Sequence, residues 1–315
     1  MRVAVLCGGP SAEREVSIRS GAQVEEALIG RGHRVERIEA DAGAWRRLSE
    51  GGFDVVFIAL HGRLGEDGTV QGMCELLGLP YTGSGVLASA LCIDKTKTNQ
   101  LLATAGLCVP EFEELPREHS LRADLAERLV GIYGTPLVIK PVREGSTIGL
   151  TVAHDSDQAA SGILQARRYD RRVMVQRFQT GTEITVAVLA MPEPSAMPTL
   201  EITYENETYD YDAKYTEGKS HHIIPARLPK EARQRAQAAA LRAFEALGCD
   251  GMARVDIIVA EDGCPWVLEV NTVPGLTRLS LLPDAARAGG VGFAELCERL
   301  CEHGVARHRE RVGPA

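Results

Sequence analysis

The chain has 315 residues, of which 44% are hydrophobic and 25% are charged, so it can bury more than one core. Its formal net charge of -8 argues against a nucleic acid or an anionic membrane as its partner. Since no apolar run approaches the ~20 residues that a membrane helix needs, we expect a cytoplasmic protein with small-molecule ligands.

Eight cysteines are scattered along the chain without a CxxC pair. The sequence therefore indicates neither a zinc site nor a disulfide framework, and it fits a reducing compartment. Cys297 and Cys301 can share one helix face, where we expect them to act as small buried hydrophobic side chains.

The first segment alternates apolar runs with helical stretches. Val3–Leu6, Val35–Ile38 and Val55–Leu60 are typical of buried strands, and Glu15–Ile29 has the pattern of a helix. Strands that alternate with helices predict βαβ units on a parallel sheet. We therefore predict a Rossmann-like α/β domain over residues 1–94.

A glycine-rich turn, Gly8–Glu13, follows the first strand. It lacks the GxGxxG spacing, and Pro10 removes a backbone donor, so a nicotinamide site is disfavoured. Ligands do bind at the carboxyl edge of such a sheet, where Glu13 either pairs with an ammonium group or faces solvent. His61 closes the third strand at the same edge, either as a site residue or as a capping residue.

The middle segment, residues 95–182, predicts a small α+β domain. The strand Leu137–Lys140 leads into the glycine-rich loop Arg143–Gly149, and a later strand covers Val173–Arg177. The glycines would let backbone N–H groups close over phosphate oxygens while Lys140 neutralises charge. Because the loop lacks the GxxxxGK[ST] pattern of a P-loop, an ordinary hairpin turn stays open as the alternative.

The last segment, residues 183–315, contains a polar, tyrosine-rich stretch at 204–220, a long helix at Lys230–Leu247 and strands at Met252–Val259 and Trp266–Val270.

Within these last two strands, polar residues recur at a spacing of two, which projects them from one face of the sheet. If the strands are neighbours, Asp256, Glu269 and Asn271 lie together. Magnesium prefers hard oxygen ligands of this kind. The sequence therefore predicts either a magnesium site or a solvated sheet face with ordinary ion pairs.

A series of short motifs runs through the chain in a fixed order: Gly8–Ser17, Ala59–Gly62, Gly65–Gly68, Gly83–Gly85, Asp94–Lys95, Lys140–Pro141, Arg143–Ser146, Tyr209–Tyr215, Arg254–Asp256 and Glu269–Gly275. Together they resemble the D-alanine–D-alanine ligase family of the ATP-grasp superfamily, from Val3 to about residue 300. The resemblance implies a three-domain ATP-grasp architecture. It also implies ATP-dependent joining of two D-alanines through an acyl phosphate, for peptidoglycan precursor synthesis.

The resemblance further implies that ATP lies between the middle and final domains. The ATP-binding residues it implies are Lys95, Lys140, Gly145, Ser146, Gln176, Arg177, Phe178, Glu183 and Lys214. Two Mg²⁺ ions, replaceable by Mn²⁺, would be held by Asp256, Glu269 and Asn271. The family also forms homodimers through the first domain, so a homodimer is expected here.

Substrate contacts are implied by the same resemblance. Glu13 would pair with the ammonium of the first D-alanine beside His61, and Arg254 and Gly275 would stabilise the oxyanion. The carboxylate of the second D-alanine would contact Ser280, the amide of Leu281 and Lys214. Ser146, Tyr215 and Glu13 would form a latch across domains, so the implied catalytic set is Glu13, Ser146, Tyr215, Arg254 and Ser280.

The chain departs from the family pattern at a few positions. Gln176 and Arg177 stand where the family more often has Glu and Lys near the adenine, and Thr277–Ser280 is bulkier than usual beside the second-substrate site. Tyr215 in place of phenylalanine favours an amine acceptor over a hydroxy acid. The alternatives are therefore another dipeptide or D-alanyl-D-lactate as product.

Two other classes of function fit the sequence less well. An oxidoreductase built on the first domain is disfavoured by the missing dinucleotide fingerprint. A catalytically silent binding module would require the loss of the metal carboxylates or the phosphate lysines, and all of them are present.

Overall fold

The computed structural model describes residues 1–115, 124–204 and 220–313. In this part of the chain the strands form three separate sheets, of three, four and six strands. Helices pack beside each sheet, so the protein combines α/β and α+β architecture, as the sequence predicts.

The first sheet is parallel, with strand order β2–β1–β3. Its strands are β1 (Arg2–Cys7), β2 (Arg34–Glu39) and β3 (Val55–Ile58), and its helices are α1 (Arg14–Gly30), α2 (Ala44–Glu50), α3 (Thr69–Leu76) and α4 (Val86–Ile93). The predicted parallel sheet is confirmed. β3 ends at Ile58 rather than at the predicted Leu60, because the chain turns away there toward Gly62, whose φ is 67°.

The second sheet is antiparallel, with strand order β4–β7–β5–β6. It contains β4 (Phe112–Leu115), β5 (Leu137–Pro141), β6 (Thr151–Ala153) and β7 (Val173–Arg177), with α5 (Lys95–Thr104) leading into it and α6 (Leu125–Tyr133) and α7 (Ser156–Ala166) beside it. The apolar faces of α6 and α7 close a separate small core against this sheet. The glycine-rich loop is the connection from β5 to β6.

The third sheet has the order β11–β10–β8–β12–β13, with β9 paired to β8. Its strands are β8 (Thr182–Ala190), β9 (Pro194–Ala196), β10 (Leu200–Tyr204), β11 (Ser220–Ile223), β12 (Met252–Val259) and β13 (Pro265–Asn271). The helix α8 (Lys230–Ala246) presents a buried stripe of alanines, including Ala236 and Ala240, which lets it lie close against the sheet.

The first and third sheets share one core. Val5 and Phe57 from the first sheet, and Leu189 from the third, pack with the C-terminal helices α9 (Leu281–Ala288) and α10 (Phe293–Val312). Cys297 and Cys301 are fully buried in this core, which confirms their expected role as small hydrophobic residues. Among the described residues, no helix is long and apolar enough to cross a membrane.

Candidate active site

A cavity of about 390 Å³ lies between the second and third sheets. Nearly all of the predicted nucleotide residues that the structure describes line it: Lys95, Lys140, Gly145, Gln176, Arg177, Phe178 and Glu183, together with Asp256 and Glu269. Lys214 and Tyr215 lie outside the described residues. The cavity therefore joins residues from distant parts of the sequence, between Lys95 and Glu269.

Antiparallel pairing of β12 with β13 brings the predicted metal ligands together. Asp256 lies directly opposite Glu269, and Arg254 lies opposite Asn271. Directly opposite residues on one face of a sheet have Cβ atoms within about 5.5 Å. Two carboxylates and one amide oxygen thus occupy one small area of the sheet.

A β-bulge shapes this face. The register shifts after Asp256, so that Ile257 pairs with Val267 and Leu268 is the additional residue on β13. Leu268 and Glu269 both line the cavity, while Val267 is fully buried on the other side of the sheet. The bulge therefore directs Glu269 into the cavity without exposing Val267.

Asp256 is held by neighbouring side chains. Arg254 donates from Nε to Oδ1 at 2.9 Å and from an Nη atom to Oδ2 at 2.7 Å, and the Thr185 hydroxyl donates to Oδ1 at 2.8 Å. Two oxygens of a carboxylate provide about four acceptor sites. The bonds fix the orientation of Asp256 and leave further acceptor sites for a cation.

Lys95 connects the cavity to the glycine-rich loop and to the sheet face that carries Glu269. This residue begins α5, and only 7% of its surface is exposed. Its Nζ donates to the carbonyl of Glu144 at 2.5 Å and lies 3.7 Å from Oε2 of Glu269. Lys140 on β5 is equally buried and lines the same cavity, so two lysines supply positive charge where phosphates would lie.

The glycine-rich loop reaches across to the first domain. Ser146 donates a short hydrogen bond from Oγ to Oε1 of Glu13. A Cβ atom added to Gly145 would lie 2.9 Å from Oε2 of the same carboxylate, so a larger residue here would push the Glu13 carboxylate out of its position. Ser146 and Thr147 have φ values of 49° and 62°, so both residues adopt the left-handed conformation. This conformation costs free energy, especially for the β-branched Thr147, and it occurs most often in functional loops.

Glu13 faces a second, smaller pocket that also contains His61, Glu66, Arg254, Asn271, Gly275, Ser280 and Leu281. Gly145 and Glu269 line both this pocket and the large cavity. The substrate residues proposed from the sequence therefore lie next to the part of the large cavity where Lys95 and Glu269 meet.

His61 is fixed by three polar groups. Its Nδ1 lies 3.1 Å from the carbonyl of Val273 and 3.7 Å from Oε1 of Glu66, and its Nε2 lies 3.0 Å from the hydroxyl of Ser20. Burial alone would lower the pKa of His61, but the carboxylates of Glu66 and Glu13 raise it above the usual value. Burial raises the pKa of Glu66, and the charge of Glu13 adds to this.

Ser280 stands immediately before α9. Its Oγ accepts from the amide of Thr277 at 3.0 Å rather than from the first turn of the helix, so it makes no side-chain cap. The first amides of a helix, including that of Leu281, are unpaired within the helix and attract anions. This end of α9 opens onto the pocket that holds Glu13 and Arg254.

The two residues predicted to lie near the adenine, Gln176 and Arg177, differ in whether their side chains already have hydrogen-bond partners. The guanidinium of Arg177 binds the carboxylate of Glu111 at 2.8 Å and the carbonyl of Tyr133 at 3.0 Å. Gln176 is buried, and its Nε2 has no hydrogen-bond partner among the described atoms. A buried donor without a partner is costly, so Gln176 is the better candidate for a contact with a bound base.

These donors fit a magnesium nucleotide. Hard carboxylate and amide oxygens suit Mg²⁺, which also takes phosphate oxygens and water into its shell. Within the described ranges no group of three or more His, Cys, Asp or Glu side chains is arranged around a metal position. The fit therefore rests on Asp256, Glu269 and the amide oxygen of Asn271, with phosphates completing the shell.

Sequence reasoning missed several residues of the site. Glu66 lies in the Gly65–Gly68 motif, whose sequence indicates no role for it, although it lines two pockets and contacts His61. Thr185, which orients Asp256, could have been found as the residue two positions after Glu183 on the same strand face. Asp94 is the N-cap of α5, a role that the Asp94–Lys95 motif alone did not predict.

Two models of one protein family match separate parts of the chain. The model for "D-ala D-ala ligase C-terminus" matches residues 101–302, and the model for "D-ala D-ala ligase N-terminus" matches residues 46–84. A D-alanine–D-alanine ligase from Desulforudis audaxviator (strain MP104C) is 49% identical over 300 residues, covering 95% of this chain and 97% of that protein.

Solved structures are similar over nearly the whole chain. The crystal structure of a D-alanine–D-alanine ligase from Bacillus anthracis complexed with ATP has a TM-score of 0.84 at 32% identity and covers 99% of both chains. The VanG D-Ala:D-Ser ligase from Enterococcus faecalis has a TM-score of 0.82 at 32% identity, covering 96% of this chain and 99% of that one.

Proposed function

This chain belongs to the D-alanine–D-alanine ligase family of ATP-dependent ligases, and from that premise we propose how its own residues join two D-alanines to D-alanyl-D-alanine. One observation carries the proposal: Gly145 and Glu269 line both the large cavity and the small pocket with Glu13. A nucleotide in the first and an amino acid in the second would therefore meet where the charged groups converge.

The chemistry explains this convergence. A carboxylate cannot lose oxide to an amine at neutral pH, so one oxygen must first be phosphorylated to give an acyl phosphate. When bound, Mg-ATP supplies the phosphoryl group, and the ions neutralise its charge. Lys95 and Lys140 would bind the phosphates beside the first carboxylate, and Asp256, Glu269 and Asn271 would hold the metal ions.

The first D-alanine is oriented by Glu13. Its ammonium group would pair with the Glu13 carboxylate, which His61 and Glu66 support from behind, and its carboxylate would point toward Arg254. Arg254 and the backbone near Gly275 would then stabilise the oxyanion that forms when the second amine attacks.

The second D-alanine would lie with its carboxylate at the N-terminus of α9. The amide of Leu281 and the Ser280 hydroxyl would bind that carboxylate, because unpaired helix amides attract anions. Its amine would attack the acyl phosphate and displace phosphate. The Gly145–Ser146 loop, tied to Glu13, would exclude water from the acyl phosphate.

We propose domains at 1–94, 95–182 and 183–315, a cytoplasmic homodimer formed through the first domain, and a product that serves peptidoglycan precursor synthesis. The three separate sheets and the family membership support this organisation.

The test is ADP release by the purified protein with Mg-ATP, with D-alanine alone or with D-serine or D-lactate added, and the product identified by mass. D-alanine-dependent ADP release with matching D-alanyl-D-alanine supports the proposal. Turnover only with D-serine or D-lactate as acceptor would keep the mechanism and reject the second substrate.

A further inference from the structure

Two cysteines that are distant in sequence lie in contact at the surface. Cys108 follows α5, and Cys264 lies in the turn between β12 and β13. Their sulfur atoms are 3.0 Å apart, with Cys264 donating to Cys108, and both residues are partly exposed. Because thiol–disulfide exchange requires access to the sulfur, this pair is open to small oxidants.

A second pair provides an internal comparison. Cys92 and Cys249 are also near each other, with their sulfur atoms 3.6 Å apart, but both are buried. The hydrogen bond with Cys249, followed by burial, raises the pKa of Cys92 well above the usual value. These thiols are expected to stay reduced when a water-soluble oxidant is added.

The Cys108–Cys264 pair lies where the chain passes from the third sheet to the second sheet. The carbonyl of Cys108 accepts from the amide of Val267 at 2.9 Å, which fixes this point of the linker to β13. Three residues later, the carbonyl of Glu111 accepts from the amide of Arg177 at 2.8 Å, which fixes the linker to the second sheet. Residues 108–111 therefore connect the two walls of the large cavity.

The surrounding structure holds both sulfurs in place. The turn at Cys264 is closed by a hydrogen bond from its amide to Oδ1 of Asp262 at 2.8 Å. The neighbours of Cys108, Leu107 and Val109, pack against the core of the third sheet. A bond between the sulfurs would join two segments that already lie together and needs no large movement.

We propose that Cys108 and Cys264 are a modification site, at which a small disulfide such as oxidised glutathione closes a reversible internal disulfide that fastens the interdomain linker to the third sheet. The Cys108 thiolate attacks oxidised glutathione, forms a mixed disulfide and releases one reduced glutathione. The Cys264 sulfur then loses its proton, displaces the second glutathione and forms the internal bond.

The order of these steps follows from the protonation of Cys264. Burial, followed by the hydrogen bond with Cys108, raises the pKa of Cys264 to about 12. Cys264 therefore keeps its proton at neutral pH, and the first attack falls to Cys108. The closing step becomes faster as pH rises, since the thiolate is the nucleophile.

The bond would restrain the unfolded chain strongly, because it closes a loop of more than 150 residues. Cross-links over long loops remove the most chain entropy from the unfolded state, so the oxidised protein should melt at a temperature higher by roughly 5 °C.

The experiment treats the full-length protein with oxidised glutathione and follows intact mass, tryptic peptides and Tm before and after dithiothreitol. We expect the loss of two hydrogen atoms and a cross-link between the tryptic peptides 98–117 and 255–278. The rise in Tm should be reversed by dithiothreitol and absent in Cys108→Ser and in Cys264→Ser.

Two variants are used so that a folding defect in one of them can be recognised. The Tm values of reduced Cys108→Ser and reduced Cys264→Ser are compared with each other. A stable mixed disulfide with glutathione at either cysteine of the wild type, with no internal cross-link, would overturn the proposal. A cross-link between the Cys92 and Cys249 peptides in its place would do the same. None of these outcomes depends on the ligase activity.

Discussion

Glu13 shows how one side chain connects three parts of the site. It accepts a hydrogen bond from Ser146 in the loop, it faces the pocket with Arg254, and its charge raises the pKa of both His61 and Glu144. For Glu144, burial contributes more to this rise than Glu13 does. A carboxylate at this position therefore organises the loop, in addition to its proposed role in binding a substrate ammonium.

Removal of one of the proposed metal carboxylates should greatly reduce turnover while the fold stays intact. Glu269→Gln keeps the size of the side chain but removes the negative charge that faces Lys95, so we expect kcat to fall about 100-fold or more. ADP release under saturating Mg-ATP and D-alanine measures the effect.

The matched control is Glu261→Gln, an exposed residue in the turn of the same hairpin, which should leave kcat unchanged. Near-normal activity of Glu269→Gln, with a Tm equal to that of the wild type, would remove Glu269 from the proposed metal site.

The latch between the loop and Glu13 should affect turnover more than stability. Ser146→Ala removes the hydroxyl that donates to Glu13, so the loop should close less often over the acyl phosphate, and we expect kcat to fall roughly tenfold with little change in Tm. Steady-state kinetics with both substrates varied will measure it. An unchanged kcat would mean that the loop does not need Glu13 to close.

At the scale of the element, α5 is the helix that carries Lys95 into the site. Asp94 caps its N-terminus by accepting from the amide of Lys97, and it also binds Arg143 at the start of the loop and Arg172 just before β7. The same carboxylate thus fixes the helix, the loop and the second sheet. We infer that the position of Lys95 depends on this network.

This network predicts a pH-dependent contribution to stability. Burial would raise the pKa of Asp94, but hydrogen bonds from Arg172, the Lys97 amide, Thr96 and Arg143 lower it to about 2. Because the folded pKa is below the unfolded value, the contribution is fully present above about pH 4 and is lost as the pH falls through 2.

Asp94→Asn should therefore lower the free energy of unfolding by about 2 kcal/mol at pH 7, and the difference from the wild type should shrink as the pH falls toward 2. Urea denaturation at several pH values measures this. An equal loss of stability at pH 7 and at pH 2.5 would show that the carboxylate charge is not the cause.

At the scale of the whole molecule, Arg307 on α10 joins the first and third sheets. It donates to Oδ2 of Asp250 at 2.8 Å and to the carbonyls of Tyr81 and Gly83, and its guanidinium lies 4.6 Å from the centre of the Tyr81 ring. The planar guanidinium satisfies several acceptors and stacks on the ring at the same time. This contact fixes residues 81–83 of the first domain against Asp250, which lies just before β12.

Arg307→Lys should destabilise the protein by about 2 kcal/mol, although it keeps the charge, because an ammonium cannot reproduce the fork of hydrogen bonds or the stacking. Thermal unfolding of this variant beside Arg309→Lys, an exposed position on the same helix, measures the effect. Equal Tm values for the two variants would reject the contact as a structural anchor.

Much of this arrangement follows from local sequence. Alternation of apolar and polar residues predicts β12 with the bounds that the structure gives it, and the spacing of Asp256 and Arg254 correctly places both on one face. Along β13 the same rule would put Val267 beside Glu269. The bulge at Leu268 prevents this, and a bulge depends on the partner strand rather than on the strand's own pattern.

The sequence by itself therefore determined the class of fold, several of the strands and helices, and the residue types that are proposed to form a magnesium–nucleotide site. The tertiary structure alone decided that Asp94 meets Arg172, that His61 meets Glu66 against the carbonyl of Val273, and that Cys108 touches Cys264. The physical reason is range. Backbone periodicity is set within a few residues, whereas these contacts arise from the packing of separate sheets and loops, which no local pattern encodes.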